Sequence, residues 1–180
     1  MRKLLIAITL LCLVFTTSAQ LDTSKFDFKF GTGAGFMGDG DMLTLSFENE
    51  LNYKINKYLG ASVSLGYGKS DTGVNLHADY LMGSANVFFS PFTNRKNNNL
   101  KIGGGVSFFN STSVYMNYYD SYGGFNYLYS QIERNGFNVI IEDEQQIGSR
   151  FLVGGKLFMT AGIKQGGILI GGMIKLGVIL

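Results

Sequence analysis

From Phe26 onward, apolar and polar residues alternate one by one in eight segments of roughly ten to fifteen residues. In the first segment, Phe26, Phe28 and Phe30 alternate with Asp27 and Lys29. Successive side chains of a β-strand point to opposite sides of a sheet, so each segment predicts a strand with one apolar and one polar face. Beyond the N-terminal stretch, no apolar run approaches the ~18 residues that a transmembrane helix needs. The pattern therefore favours a protein that crosses a membrane with strands.

The predicted strands cover residues 26–37, 42–53, 58–68, 76–90, 99–111, 137–147, 151–163 and 168–180. An even number of strands at this spacing predicts an all-β fold, a closed antiparallel eight-stranded transmembrane β-barrel. In the fourth strand the alternation slips over residues 77–82, which predicts a β-bulge. With the N-terminus in the periplasm, alternate turns face outside. The outer segment over residues 112–136 is long, and we interpret it either as a loop or as a hairpin in which strands five and six continue past the membrane.

The first twenty residues are typical of a secretory signal peptide. Arg2 and Lys3 precede an apolar run over residues 4–15, and the small residues 16–19 suit a signal peptidase. We therefore expect residues 1–20 to be removed and residues 21–180 to form the barrel domain. Removal of this segment also removes Cys12, the one cysteine, which excludes disulfides and thiolate sites from the mature chain.

Charge excludes a further class of partner. Without Arg2 and Lys3, the 15 basic residues become 13, which equals the 13 acidic residues. A neutral mature chain lacks the excess positive charge with which proteins bind phosphate backbones, so we expect no nucleic-acid partner. No motif in the sequence indicates a cofactor or a metal.

Charged residues fall on the inward face of the predicted strands. The set comprises Asp27, Lys29, Glu48, Glu50, Lys101, Glu142, Glu144, Lys156 and Lys175. The simplest hairpin registers place Lys29 opposite Glu50 and Glu142 opposite Lys156, but they also place Lys156 opposite Lys175. Side chains just fill the interior of an eight-stranded barrel, so we expect ion pairs to form a plugged lumen rather than a water-filled channel.

Three stretches carry a resemblance to a known family. They are the run from Ser84 to Phe92, the glycines 103–105 and the run from Gly136 to Glu142. With the signal peptide, they resemble the small outer-membrane β-barrel proteins common in Bacteroidetes, similar in architecture to the OmpX and OmpA transmembrane barrels. The resemblance spans the mature chain. It implies a location in the bacterial outer membrane and, as partners, outer-membrane lipids and the barrel-assembly machinery.

The leading functional hypothesis is a non-enzymatic surface protein that contributes to envelope integrity or adhesion through residues 112–136, whose partner is an extracellular protein or a host surface. This segment is rich in aromatic residues, which supply contact area at low entropic cost. The candidate contact residues are Tyr115, Tyr118, Tyr119, Tyr122, Phe125, Tyr127 and Tyr129.

Three alternatives stay open at this point. The first is a lipid-modifying hydrolase built on His77, with Asp79 and a serine such as Ser70 or Ser84. The second is acid–base chemistry by the carboxylate pairs Glu48 with Glu50 or Glu142 with Glu144. The third is a soluble lipocalin-like carrier, which has the same number of strands but needs apolar residues inside and polar residues outside.

Overall fold

The computed structural model describes residues 25–38, 42–71, 76–91, 98–119, 125–162 and 168–180. The signal peptide expected over residues 1–20 lies outside the described residues. Eight strands follow one another along the chain. They are β1 Phe26–Gly38, β2 Met42–Lys54, β3 Leu59–Asp71, β4 Leu76–Phe89, β5 Asn98–Tyr119, β6 Phe125–Ile147, β7 Phe151–Gly162 and β8 Ile168–Ile179. Among these residues there is no helix long and apolar enough to cross a membrane.

The strands form a closed barrel in which each strand pairs antiparallel with its neighbours in the sequence. β1 closes the sheet against β8, from Asp27 opposite Ile179 to Gly38 opposite Ile168. Closure pairs the backbone groups of the first and last strands, which would otherwise be exposed edges. The predicted fold class, an all-β barrel of eight antiparallel strands, is confirmed. We call the end that holds Phe26 and Ile179 the terminal end, and the opposite end the hairpin end.

The β-bulge predicted over residues 77–82 is wrong. β4 pairs in unbroken register with both β3 and β5 through these positions. The polarity slips there for another reason, because Ala78, Tyr80 and Met82 are buried apolar side chains that point into the lumen. The irregularity in the sheet lies instead between Met116 and Tyr118 on β5.

Residues 112–119 and 125–136 form strands rather than a loop. β5 and β6 pair continuously from Asn98 opposite Gln145 to Tyr119 opposite Phe125, apart from the one shift on β5. The hairpin alternative is therefore correct. β5 and β6 keep pairing beyond the part of each strand whose outward-facing residues are apolar. The two strands are longer than the other six, and we call their continuation beyond Thr112 and Gln131 the extended hairpin.

The outward face of the barrel is apolar. Leu43 on β2, Leu65 on β3 and Leu157 on β7 are each more than half exposed. Aromatic residues lie at the terminal end, where the rings of Phe26 and Tyr53 are 4.8 Å apart, and also within the apolar band, as at Phe30 and Phe47. An apolar band flanked by aromatic residues is the surface that a barrel presents to lipid. A soluble lipocalin-like carrier would need the reverse arrangement, so this alternative is wrong.

Glycines on the lumen face make room for large rings. Gly68 lies opposite Tyr80 in the β3–β4 register, and a Cβ at Gly68 would overlap the Tyr80 ring. A Cβ at Gly103 would overlap the ring of Phe88 in the same way. The aromatic side chains therefore lie flat against neighbouring strands, which a narrow lumen requires.

We expect Gly68→Ala to lower the free energy of unfolding by about 1–3 kcal/mol, because the methyl group displaces the buried Tyr80 ring. Gly83→Ala is the matched control, since Gly83 lies outward on the adjacent strand and a Cβ there would meet nothing within 4 Å. Urea unfolding in lipid vesicles, followed by tyrosine fluorescence, measures both variants. Equal stability of the two variants would contradict this packing.

Candidate functional site

Charged side chains occupy the terminal half of the lumen. Glu48 and Glu50 on β2, Glu142 on β6 and Lys175 on β8 are each at most 1% exposed. Side chains alternate between the two faces of each strand, so all four point inward, while the apolar residues next to them on the same strand face outward. Burial of a charge is costly unless an opposite charge compensates it. We therefore expect opposite charges close to each of these four side chains.

Glu50 is the centre of the charged cluster. Its Oε2 lies 2.7 Å from Lys175 Nζ and 3.2 Å from Lys156 Nζ, and its Oε1 lies 3.9 Å from Lys29 Nζ. Lys156 Nζ also donates to both oxygens of Glu48, at 2.7 and 2.8 Å. One carboxylate thus faces three ammonium groups, and a second carboxylate shares two of them.

The cluster continues from this centre toward the terminal end. Lys29 Nζ donates to Glu142 Oε1 at 2.7 Å and also pairs with Glu144. Glu144 in turn pairs with Lys101, and Asp27 lies 3.6 Å from Lys29 Nζ. Ion pairs therefore join the nine predicted residues into one network, which we call the lumen network.

The pairing within this network differs from the sequence prediction. The register places Lys29 opposite Glu50 and Glu142 opposite Lys156, as expected. However, the short contacts run across the lumen, from Lys29 on β1 to Glu142 on β6 and from Lys156 on β7 to Glu48 on β2. The interior of an eight-stranded barrel is narrow, so these long side chains reach strands that are not their neighbours.

The predicted opposition of Lys156 and Lys175 is wrong. Lys156 pairs with Met173 in the β7–β8 ladder, and Lys175 pairs with Gly154. The register differs from the expected one by two residues. A shift of two keeps each side chain on the same face of the sheet, so the alternation of the sequence does not distinguish the two registers. Glu48 and Glu50 lie between the two ammonium groups and pair with both.

Uncharged groups fill the lumen beyond the network. Asn138 Nδ2 donates to Asn86 at 2.9 Å, and Thr160 donates to Asn138 at 2.9 Å. Nearer the hairpin end, the Tyr80 hydroxyl donates to Ser46 at 2.7 Å and its ring stacks on Phe109. An apolar cluster packs around them. It comprises Met37, Ala78, Tyr80, Met82, Ile140, Phe158, Leu169 and Met173, together with Phe88, which lies near the terminal end beside Lys101.

The lumen therefore changes polarity along its axis. The sequence prediction covered only the charged half, because apolar residues that face inward interrupt the alternation on which it depended. The loss of alternation along β4 was the signal in the sequence for these inward-facing apolar residues. Its cause is a second apolar face rather than a defect in the sheet.

The residues proposed for a hydrolase do not come together. His77 lies on the outward side of β4, because its neighbour Ala78 is fully buried in the lumen. Ser70 is 1% exposed on the inner face of β3, and Ser84 exchanges a hydrogen bond of 2.6 Å with Ser64. The barrel wall thus separates the histidine from both serines. A serine–histidine–acid arrangement needs direct hydrogen bonds between its members.

The carboxylate pairs are likewise engaged. Glu48 with Glu50 and Glu142 with Glu144 bind lysines of the lumen network, and all four are at most 5% exposed. A general acid or base must reach the proton of a substrate. Their arrangement favours a structural role.

The aromatic residues predicted for surface contact lie on the extended hairpin. Tyr115, Tyr118 and Tyr119 belong to β5, while Phe125, Tyr127 and Tyr129 belong to β6. The side chain of Tyr129 is 66% exposed. Tyr122 lies outside the described residues.

Known proteins resemble this chain in structure rather than in sequence. No family model and no curated protein matches the sequence. Solved structures do match. Neisserial surface protein A superposes with a TM-score of 0.70 at 12% identity, over 87% of this chain and 97% of its own. The attachment invasion locus protein Ail of Yersinia pestis gives 0.57 at 10%, over 85% and 95%. A major outer membrane protein from Thermus thermophilus gives 0.57 at 11%, over 84% and 99%.

The fold is that of a small outer-membrane β-barrel. The resemblance drawn from the sequence is confirmed at this level, and the shared feature is the closed eight-stranded sheet. At identities of 10–12%, the similarity lies in the fold and not in the side chains. The lumen network is therefore described on this chain's own residues.

We expect Glu50→Gln to lower the free energy of unfolding by about 3–5 kcal/mol, because it leaves buried ammonium groups without their shared counter-charge. Glu133→Gln is the control, since Glu133 is an exposed glutamate on β6. A double variant, Glu50→Gln with Lys175→Met, should recover part of the loss. Urea unfolding in vesicles measures all three variants. A loss for Glu50→Gln no larger than that for Glu133→Gln would contradict the network.

Proposed function

We propose that the protein is an integral, non-enzymatic outer-membrane β-barrel with a plugged lumen, which contacts partners outside the cell through its extended hairpin. The observation that carries the proposal is the length of β5 and β6, which continue as a paired sheet beyond the strands beside them. The apolar outward face and the outer-membrane barrels of similar fold support the location. Outer-membrane lipids and the barrel-assembly machinery are the partners that such a location entails.

The orientation follows from the end at which the strands extend beyond the rest of the barrel. Outer-membrane barrels have short periplasmic turns and longer extracellular segments. At the terminal end, Gly148, Ser149 and Arg150 form a tight turn with Gly148 at φ 66°, and Gln146 donates to the carbonyl oxygens of Gly148 and Ser149. The extended hairpin leaves the opposite end. We therefore place the terminal end in the periplasm and the hairpin end outside the cell.

Two cavities support a plugged lumen. One, of about 290 Å³, opens at the terminal end and includes Asp27, Lys101 and Glu144 in its lining. The other, of about 190 Å³, opens at the hairpin end and includes Met37 and Leu169. They have no lining residue in common. The lumen network and the apolar cluster lie between them, so we propose that solutes do not pass from one cavity to the other.

The extended hairpin and the adjoining part of β6 form a sheet edge. β6 pairs with β7 only from Gly136 to Ile147, so residues 125–135 have a strand partner on the β5 side alone within the described part of the chain. This edge is roughly 35 Å long at ~3.3 Å per residue. Unpaired backbone groups along an edge bind an added strand from another protein. Exposed aromatic residues such as Tyr129 supply contact area beside it.

The names of two proteins of similar fold favour the same role. One is a surface protein and another is an attachment invasion locus protein. These names describe those proteins. For this chain they support a role at the cell surface, and the edge of β6 supplies the contact element that such a role needs.

We expect the wild-type protein to give no stable conductance steps in planar lipid bilayers, because the side chains of the lumen network fill the interior of the barrel. Replacing Lys29 and Lys156 by Met removes two ammonium groups but keeps the side-chain volume. This variant should unfold at a lower temperature without gaining a large conductance. A stable open pore in the wild-type protein would contradict the plugged lumen.

To test the hairpin, residues 116–127 are removed and Tyr115 is joined to Leu128 by an Asn-Gly turn, which suits a two-residue hairpin. Tyr115 and Leu128 are opposite each other in the register, so all pairing between β4 and β5 is kept. We expect cells with this variant to lose adhesion to a panel of immobilised extracellular matrix proteins as fully as cells without the protein.

The control is the outer-membrane level and heat-modifiable gel mobility of the shortened protein, which should match the wild type. Detergent sensitivity of the same strains separates the two roles considered from the sequence. If the shortened variant adheres normally while the strain without the protein does not, the contact function lies in the barrel rather than in the hairpin.

A further inference from the structure

The cavity at the hairpin end is lined by apolar and polar side chains from several strands. Met37 on β1, Met42 on β2, Phe109 on β5 and Leu169 on β8 face it, and β6 contributes Arg134. Its volume is about 190 Å³. At the ~30 Å³ that one molecule occupies in liquid water, the cavity holds about six such volumes. It is therefore large enough for the end of a small organic molecule.

Arg134 is placed in this cavity by the alternation of β6. Gly136, Asn138 and Ile140 are buried on the lumen face, so Arg134 lies on the same face two residues earlier. Its neighbour Glu133 is exposed on the opposite face. The Nε atom of Arg134 is buried and lacks a hydrogen-bond partner among the described residues. A buried donor without a partner is costly, so Arg134 is suited to bind an acceptor that enters the cavity.

The described residues around Arg134 supply no counter-charge. Within the described strands, the other lumen-facing residues of the hairpin half are uncharged, and no carboxylate lies within 4.0 Å of its guanidinium. Glu142, the nearest acid along β6 that faces the lumen, is eight positions away, or roughly 26 Å at ~3.3 Å per residue. The apolar cluster lies between them. The lumen network therefore does not neutralise Arg134.

Arg134 is not among the residues predicted for a site, because it lies within the segment interpreted as a loop or an external hairpin. The signal was present. Continuing the alternation of the sixth strand backward from Asn138 through Gly136 places Arg134 on the inner face.

We propose that this cavity binds a small amphipathic anion, whose carboxylate pairs with Arg134 and whose aliphatic chain packs against Met37, Met42 and Leu169. A guanidinium matches a carboxylate with two parallel hydrogen bonds. Methionine side chains adapt to flexible aliphatic ligands. Ser111 and Ser113 also line the cavity and add hydroxyl donors beside the anion. The open mouth lets a longer chain extend outward.

The test uses the full barrel in nanodiscs of phosphatidylcholine, with methionine methyl groups labelled with ¹³C, and octanoate as the probe. Met37 and Met42 line the cavity, whereas Met159 faces the lipid on β7. Octanoate should shift the methyl resonances of Met37 and Met42 in a saturable way and leave Met159 unchanged. A shift confined to Met159 would mean partition into the lipid and would overturn the proposal.

Substitutions test the role of the guanidinium. Arg134→Gln should weaken octanoate binding by about tenfold or more, because it removes the charged partner of the carboxylate. Arg134→Lys should retain part of the affinity. Arg150→Gln, at an exposed turn residue of the terminal end, is the matched control and should bind as the wild type does. A folded Arg134→Gln variant that binds octanoate with unchanged affinity would overturn the proposal.

Two further probes define the ligand. Octanol has the same chain without the charge, and it should bind at least tenfold more weakly than octanoate; equal binding would overturn the proposed role of the anion. Nanodiscs that contain phosphatidylglycerol, without octanoate, test a lipid headgroup as the source of the anion. If Met37 and Met42 shift only there, the site takes a membrane phosphate and the assignment to a free carboxylate is wrong.

Discussion

A charged side chain that leaves water needs an opposite charge, and in this barrel that need joins strands that are not neighbours in the sheet. Lys29 on β1 reaches Glu142 on β6, while Lys156 on β7 reaches Glu48 on β2. Backbone hydrogen bonds hold each strand only to its two neighbours. The ion pairs add contacts across the lumen, so closure of the barrel and neutralisation of its interior depend on each other.

The fold could be predicted from the sequence because transmembrane strands must expose an apolar face and because alternation records that face directly. The positions of six strands followed from it closely, whereas β5 and β6 continue well past their predicted outer ends. The ion-pair partners inside the barrel could not be predicted from this pattern. Registers that differ by two residues have the same pattern of faces, which is why the opposition of Lys156 and Lys175 was wrong. Contacts across the lumen depend on the closed shape, which no single strand encodes.

The hairpin half shows the other limit of the pattern. Ala78, Tyr80 and Met82 are apolar and face inward, so β4 has apolar residues on both faces where it nears the outside. Alternation then weakens although the sheet stays regular. The same change of polarity leaves Arg134 among uncharged side chains in the described part of the lumen. The barrel interior thus separates the stabilising charges of the lumen network from Arg134, the charge proposed to bind a ligand.

The pairing of β5 with β6 allows the extended hairpin to change in length during evolution. Near the tip, the two strands contact mainly each other, so residues can be added to or removed from both strands in matching pairs. Each such change moves the tip by one step of the ladder and leaves every side chain below it on its original face. The length of the extended hairpin can therefore vary while the lumen stays unchanged. Selection on the proposed contact surface and selection on folding would then act on separate parts of one hairpin.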